Sequence, residues 1–226
     1  MNITSAPVPF DAAKEASATH TAYLALRRMI LVGEIAPGEK LKIDALRKKL
    51  DTGASPIREA LSLLTSDQLV ERLDQRGFRA ADASRENFEE ILGLRCALED
   101  MALRTSLANT TEDWEEALVL AHHRMIRAPR DDIERFEDRH KAFHMALLAN
   151  CGSQILLRFC SQLYDLNIRY RYIAARGNTY RSRDVTQEHE AILNAALARD
   201  IDATSDLLLD HYRKTGAFLN GLFTEA

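Results

Sequence analysis

Seven histidines are spread along this chain of 226 residues, and the spacing of four of them could do chemistry. In EDRHKAFHMALL, Phe136, Phe143 and Leu147 mark the inward face of a helix, and His140 and His144 lie on that face one turn apart. Imidazoles at i and i+4 can meet one ion. His189 shares a helical face with Val185, Ile192 and Ala196, and His211 shares one with Leu207, Leu208, Thr215 and Phe218. A single inward histidine is usually a satisfied core residue. Four of them, from three helices, would each cost about 1–3 kcal/mol in unmet hydrogen bonds unless they converge on a common partner. Neutral imidazole suits zinc, nickel, copper or iron, whereas magnesium and calcium prefer oxygen. No nucleophile with a positioned base accompanies the set. The adjacent pair His122 and His123 diverges on a helix and reads as surface.

The elements that must position these residues are helices. Ser84 is a candidate N-cap, and the helix it opens turns Phe88, Ile91, Leu92, Leu98 and Ala102 inward, with Arg95 and Glu99 on the same face four residues apart. Two readings of that pair stand side by side: a structural ion pair, or an arginine aimed at an anionic ligand in a helical cavity. Further helices are expected at about 111–128, 131–149, 153–175, 182–199 and 201–222, with breaks at Gly152, Arg176-Gly177-Asn178 and Arg199-Asp200. The expectation is an all-α bundle of six or so helices.

The first third of the chain has a different grammar. Residues 1–18 read as a flexible tail. A helix follows over about 20–32, ended by Gly33, then a Pro37-Gly38 turn and a short extended segment at Leu41. A second helix carries Ile43, Leu46 and Leu50 inward and Arg47, Lys48 and Lys49 outward. The third helix is read as capped by Ser55 with Pro56 at its first position; Ile57, Leu61 and Leu64 form its inner face and Arg58 projects away. Val70–Leu73 and Phe78–Ala81 around Asp74-Gln75-Arg76-Gly77 read as a β-hairpin. Three helices followed by a hairpin with a basic tip make a winged helix-turn-helix. Its third helix would lie in a major groove, with Arg76 at the wing tip reaching an adjacent groove or its phosphates.

Composition is consistent with this. Hydrophobic residues make up 46% of the chain, enough to bury a core, and only 9 Gly and 5 Pro interrupt it. Three unpaired cysteines argue against a disulfide framework, and the absence of a membrane-length apolar run or a signal-peptide layout points to the cytoplasm. Residues 20–83 carry eleven Lys and Arg against nine Asp and Glu, whereas residues 84–226 carry eighteen against twenty-three, so the positive excess sits at the N-terminal end.

Two resemblances sharpen the reading. ILVGEIAPGEKL, SPIREALSLLTSDQLV and RGF, within residues 20–81, resemble the GntR family of bacterial transcription regulators. Gly53 and Ala54 stand where that family usually carries an arginine. Leu94-Arg95 with Glu99, Phe143-His144 with Ala146-Leu147, His189 and His211 resemble the FCD ligand-sensing domain of the FadR subgroup, over nearly all of residues 84–222. In that family a carboxylate four residues before the first histidine joins three histidines around a metal in the effector pocket; here that position is His140. The variant looks like the branch of regulators similar to the carbon-starvation repressor responsive to a small dicarboxylate.

The fold expected is therefore mainly α: a winged helix-turn-helix over residues 19–82, then an FCD-like bundle over 83–223. The resemblance implies a repressor, not an enzyme, that binds double-stranded operator DNA as a homodimer under control of a small carboxylate effector. Its DNA contacts would be Arg47, Lys48, Ser55, Pro56, Arg58, Arg76 and Gly77. His140, His144, His189 and His211 would hold a divalent transition metal, zinc first and nickel another candidate, and Arg95, Asn167 and Arg171 would meet the effector. The alternative is a metal-dependent helical enzyme acting on a small carboxylate.

Overall fold

The computed structural model describes residues 10–74, 76–175 and 185–222. The chain divides into two compact units, residues 1–83 and 84–226. Residues 1–9 of the expected tail, Gln75 of the wing turn, the Arg176-Gly177-Asn178 break and residues 182–184 lie outside the described residues.

In the first unit the helix α1 (Phe10–Leu31) begins ten residues before the expected start at His20. Ala, Lys and Glu between Asp11 and Ala18 are good helix formers without an apolar period, so propensity extends a helix that periodicity alone would start later. Gly33 adopts φ +72°, as a C′ glycine should, and its N–H returns to the Ile30 carbonyl. β1 (Lys40–Leu41), α2 (Ile43–Leu50), α3 (Ala54–Ser66), β2 (Val70–Leu73) and β3 (Gly77–Ala80) complete the unit. The antiparallel sheet has the order β1-β3-β2, with Leu41 and Arg72 both opposite Phe78. Leu26, Ile30, Ile57, Leu61 and Leu64 have no exposed surface, and α1 packs along α3. Thr19 Oγ1 donates to Glu59 Oε2 at 2.9 Å and the Tyr23 hydroxyl to Asp67 at 2.7 Å, tying the middle of α1 to the body and the C-cap of α3.

The start of α3 differs from expectation. Gly53, with φ −73° and ψ 166°, is the N-cap; Ser55 and Pro56 are the second and third helical residues. A first-turn N–H has no intrahelical partner, so proline is tolerated throughout that turn and marks the turn without fixing its first position.

The second unit is six helices among the described residues: α4 (Arg85–Ala108), α5 (Glu112–Ile126), α6 (Ile133–Leu148), α7 (Gln154–Ala175), α8 (Thr186–Leu197) and α9 (Ile201–Leu222). Their starts are locally encoded. Ser84, Thr111 and Asp132 each accept the N–H three residues on, at 3.1, 3.2 and 3.0 Å. α4 packs on α6, α7 and α9, while α5 packs on α6 and α8. Ala102, Leu103, Leu118, Phe143, Leu147, Leu148, Ile192 and Leu208 lie fully buried between them. None of the described helices is long and apolar enough to cross a membrane.

Leu61 is the test of the smaller core. Leu61→Ala is expected to destabilise the first unit by about 2–5 kcal/mol, the cost of a buried Leu-to-Ala cavity. Native-state hydrogen exchange would report it as lost protection in α1 and α3.

Candidate metal and ligand site

His140 and His144 come from α6, His189 from α8 and His211 from α9, and one ring nitrogen of each lies within 4.8 Å of those of the other three. His140 Nε2 is 3.0 Å from His189 Nε2 and 3.2 Å from His144 Nε2. All four rings are buried. The opposite edges of three rings are anchored. His211 Nδ1 is 2.8 Å from Glu188 Oε2, so Nδ1 carries the proton and Nε2 is left with its lone pair. His144 Nδ1 is 2.9 Å from the Tyr212 hydroxyl, which in turn donates to Glu99. His140 Nδ1 meets the Tyr164 hydroxyl, which also faces Glu137 Oε2 at 3.5 Å.

Burial sets the charges. It pushes the phenols of Tyr164 and Tyr212 well above the usual range, helped by Glu137 and Glu99 respectively, so both keep their protons. It drives the imidazoles the other way: His189 falls to about 2, and His140 and His144 lie well below their ordinary value, with neighbouring imidazoles adding to the effect. All three are therefore neutral at pH 7. Neutral imidazoles with converging nitrogens, backed by carboxylates one bond further out, fit a borderline transition metal such as zinc or nickel.

Beside this cluster lies a cationic arm. Arg95 Nε donates to Glu99 Oε1 at 2.6 Å and Nη1 to Asn167 Oδ1 at 3.0 Å. Its guanidinium carbon lies 4.0 Å from the ring centre of Tyr212 and 4.6 Å from that of Tyr164. Burial alone would weaken its charge, but the Glu99 carboxylate outweighs it and the guanidinium stays ionised. Arg95 Nη2 and Asn167 Nδ2 are buried donors without an acceptor. Of the two sequence readings of Arg95, the ion pair with Glu99 is present on one edge, while the buried Nη2 donor on the other edge has no acceptor among the described residues. Arg171 grips Glu137 with two nitrogens, at 2.8 and 3.2 Å.

Three of the groups that complete the site, Glu137, Tyr164 and Tyr212, were not among the candidates. Glu137 had a signal, since i−3 from His140 puts it on the same face; the tyrosines did not, because their partners lie on other helices. His122 corrects the sequence reading. It is buried with its ring 5.3 Å from that of Phe143, while His123 is exposed. Trp114, Leu118, His122 and Met125 share the buried face of α5, so divergence of adjacent residues leaves only one of the pair outside.

In the first unit Arg47, Lys48, Ser55, Arg58, Arg76 and Gly77 are exposed, with Lys49 beside them, whereas Pro56 is buried. Gly77 has φ +94°, which the turn before β3 requires.

Residues 18–79 match the gntR family of bacterial regulatory proteins, and residues 90–214 match the FCD domain. The chain is 36% identical over 214 residues, 92% of its own length and 86% of the relative's, to the uncharacterized HTH-type transcriptional regulator BphR of Paraburkholderia xenovorans. It is 32% identical over 197 residues, 84% of its length and 90% of the relative's, to the HTH-type transcriptional repressor GlaR of Escherichia coli. Among solved structures, E. coli McbR/YncC is similar with a TM-score of 0.77 at 20% identity, covering 91% of this chain and 98% of that one, a likeness of fold.

The buried imidazoles tie stability to pH. An unfolded chain binds these protons near pH 6.5, whereas the folded protein refuses the one on His189 until about pH 2. Their contribution is thus complete above pH ~6.5 and is lost as pH falls toward the folded values. Chelator-treated protein taken from about pH 7.5 to about pH 5.5 is expected to lose about 1.4 kcal/mol through His189, with His140 and His144 acting in the same direction, measured by urea unfolding at the two pH values.

Proposed function

Because the chain belongs to the GntR family of bacterial transcription regulators and carries their FCD domain, we propose that it is a homodimeric repressor whose hold on operator DNA is set by a small carboxylate bound beside a divalent metal. That it is a DNA-binding regulator and not an enzyme follows from the family and the relatives it matches. One observation carries the finer reading: four converging imidazoles lie next to Arg95, whose Nη2, like Asn167 Nδ2, is a buried donor without an acceptor. His140, His144, His189 and His211 would hold the ion, zinc or nickel by their chemistry, and such an ion supplies positive charge and a coordination position for a carboxylate oxygen.

Charge supports the choice of an anion. Arg95 and Arg171 stand against the carboxylates Glu99, Glu137 and Glu188, so the surroundings are negative by one unit until a divalent cation makes them positive by one. Effector affinity then depends on metal, and by linkage metal affinity depends on effector. Arg171 is engaged by Glu137, so the reading gives the primary grip to Arg95 and Asn167 and a flanking role to Arg171.

In the first unit, α3 offers Arg58 to the major groove while Arg47, Lys48 and Ser55 approach phosphates, and Arg76 and Gly77 form the wing tip. Paired half-sites call for two copies, and one relative of the chain is named a transcriptional repressor. A coupling of roughly 1–3 kcal/mol between effector and DNA would change operator affinity about 5–150-fold.

Two sets of substitutions test this. Arg58→Ala and Arg76→Ala should each weaken operator binding, by about 1–3 kcal/mol where the side chain reads a base; unchanged gel shifts in both would remove the interface. His144→Ala and His189→Ala should lose metal and effector response but keep operator binding, whereas Arg95→Ala should keep metal and lose only the effector, read by calorimetry with zinc and with small dicarboxylates.

A further inference from the structure

Three of the four ring systems are anchored from behind, but the anchor on His140 is built differently. On His144 and His211 the acceptor is unambiguous. Glu188 is a carboxylate and can only accept from His211 Nδ1. Tyr212 gives its proton to Glu99 and so accepts from His144. Both rings therefore carry their proton on Nδ1 and turn a bare Nε2 inward. The Tyr164 hydroxyl has two partners of opposite demand. It touches His140 Nδ1 directly, while Glu137 Oε2 lies 3.5 Å from the same oxygen and 3.4 Å from Nδ1. Tyr164 cannot satisfy both with one proton.

The same heavy-atom positions thus support two proton arrangements. In one, Tyr164 donates to His140 Nδ1, and the ring carries its proton on Nε2, aimed at His189 Nε2 3.0 Å away and His144 Nε2 3.2 Å away. In the other, Tyr164 donates to Glu137, accepts from His140 Nδ1–H, and leaves Nε2 bare. Metal-free protein favours the first, because it puts a donor among the inward lone pairs that would otherwise face each other. A bound cation requires the second, because only an unprotonated Nε2 can be a ligand.

We infer that Tyr164 and Glu137 form a proton-relocating hinge for His140: the Tyr164 hydroxyl swings from His140 to Glu137 as the ring proton moves from Nε2 to Nδ1, clearing the fourth ligand position. The balance closes with water as carrier: the Nε2 proton leaves to water as the cation enters, an equivalent proton is taken from water at Nδ1, and the tyrosine keeps its own. Arg171 is the brace, its two contacts holding Glu137 where the swung hydroxyl must find it. Glu137 and Tyr164 are in this sense positioning residues, and a neutral imidazole can occupy the fourth position because the carboxylate charge stands behind it, two hydrogen bonds away through Tyr164.

This inference rests on the metal reading above, and the experiment separates the two. In protein labelled with 15N at histidine, long-range 1H–15N spectra before and after one equivalent of zinc are expected to show His140 changing from the Nε2–H to the Nδ1–H form, with His144 and His211 in the Nδ1–H form throughout. The same His140 tautomer in both samples overturns the hinge. Zinc that fails to bind the wild-type chain overturns the metal reading, and the hinge with it. Tyr164→Phe and Glu137→Gln are each expected to weaken zinc binding about 10–100-fold, and the double variant no more than either alone, because they break one device. Unchanged zinc affinity in both single variants, with melting temperatures of the metal-free proteins near that of wild type, also counts against the hinge.

Discussion

Four imidazoles crowded nitrogen to nitrogen in a buried site, three of them held neutral by burial, are the constraint that the second unit has to satisfy. Lone pairs facing one another at 3.0–3.2 Å repel unless a proton or a cation lies between them. Nothing about the surrounding helices relaxes that demand. α6, α8 and α9 deliver the rings, and the apolar cluster around Phe143, Leu147, Ile192 and Leu208 leaves them no room to turn away. The arrangement costs stability by itself and is offset by the core that encloses it.

What surrounds the imidazoles follows from that constraint. Each carboxylate in the neighbourhood has a specific donor: Glu188 has His211, Glu99 has Arg95 and Tyr212, and Glu137 has Arg171, with the Tyr164 hydroxyl 3.5 Å away. Buried charges left unpaired would be far more costly than the pairs themselves are worth. Glu99 belongs to two arms at once, holding Arg95 on one oxygen and, through Tyr212, His144 on the other. An anion that draws on Arg95 would therefore act on a residue joined to His144 by three hydrogen bonds, through Glu99 and Tyr212, a physical route for the proposed reciprocity between effector and metal.

The first unit works under the opposite economy. Its core is small, built from α1 against α3 with a three-stranded sheet beside them, and its proposed contacts are exposed side chains that cost the fold little. What must be held is direction. The Glu59 and Asp67 hydrogen bonds from α1 fix α3 along its body and at its C-cap, and the register of Phe78 against Leu41 and Arg72 fixes the wing. Charged side chains standing on a rigid frame suit a surface that meets phosphates.

Sequence alone determined whatever depends on local periodicity and local hydrogen bonding. The helical faces of His140, His144, His189 and His211, the i, i+4 pairing of Arg95 with Glu99, the cap at Ser84 and the hairpin before Ala80 are each written within a few residues. Where local signals were degenerate they misled at helix starts: a proline fits any position of a first turn, so the cap of α3 fell on Gly53 rather than Ser55, and an alanine-rich lead carried α1 back ten residues to Phe10. Tertiary structure alone decided which partners the chemistry has. Tyr164 lies 24 residues from His140 and Tyr212 lies 68 from His144, and no spacing rule joins such pairs. His122 went inward for the same reason, because α5 buries one face and the choice of face is made by α6 and α8 rather than by α5 itself. A pattern within one helix says which residues travel together; only packing against the other helices says what they meet.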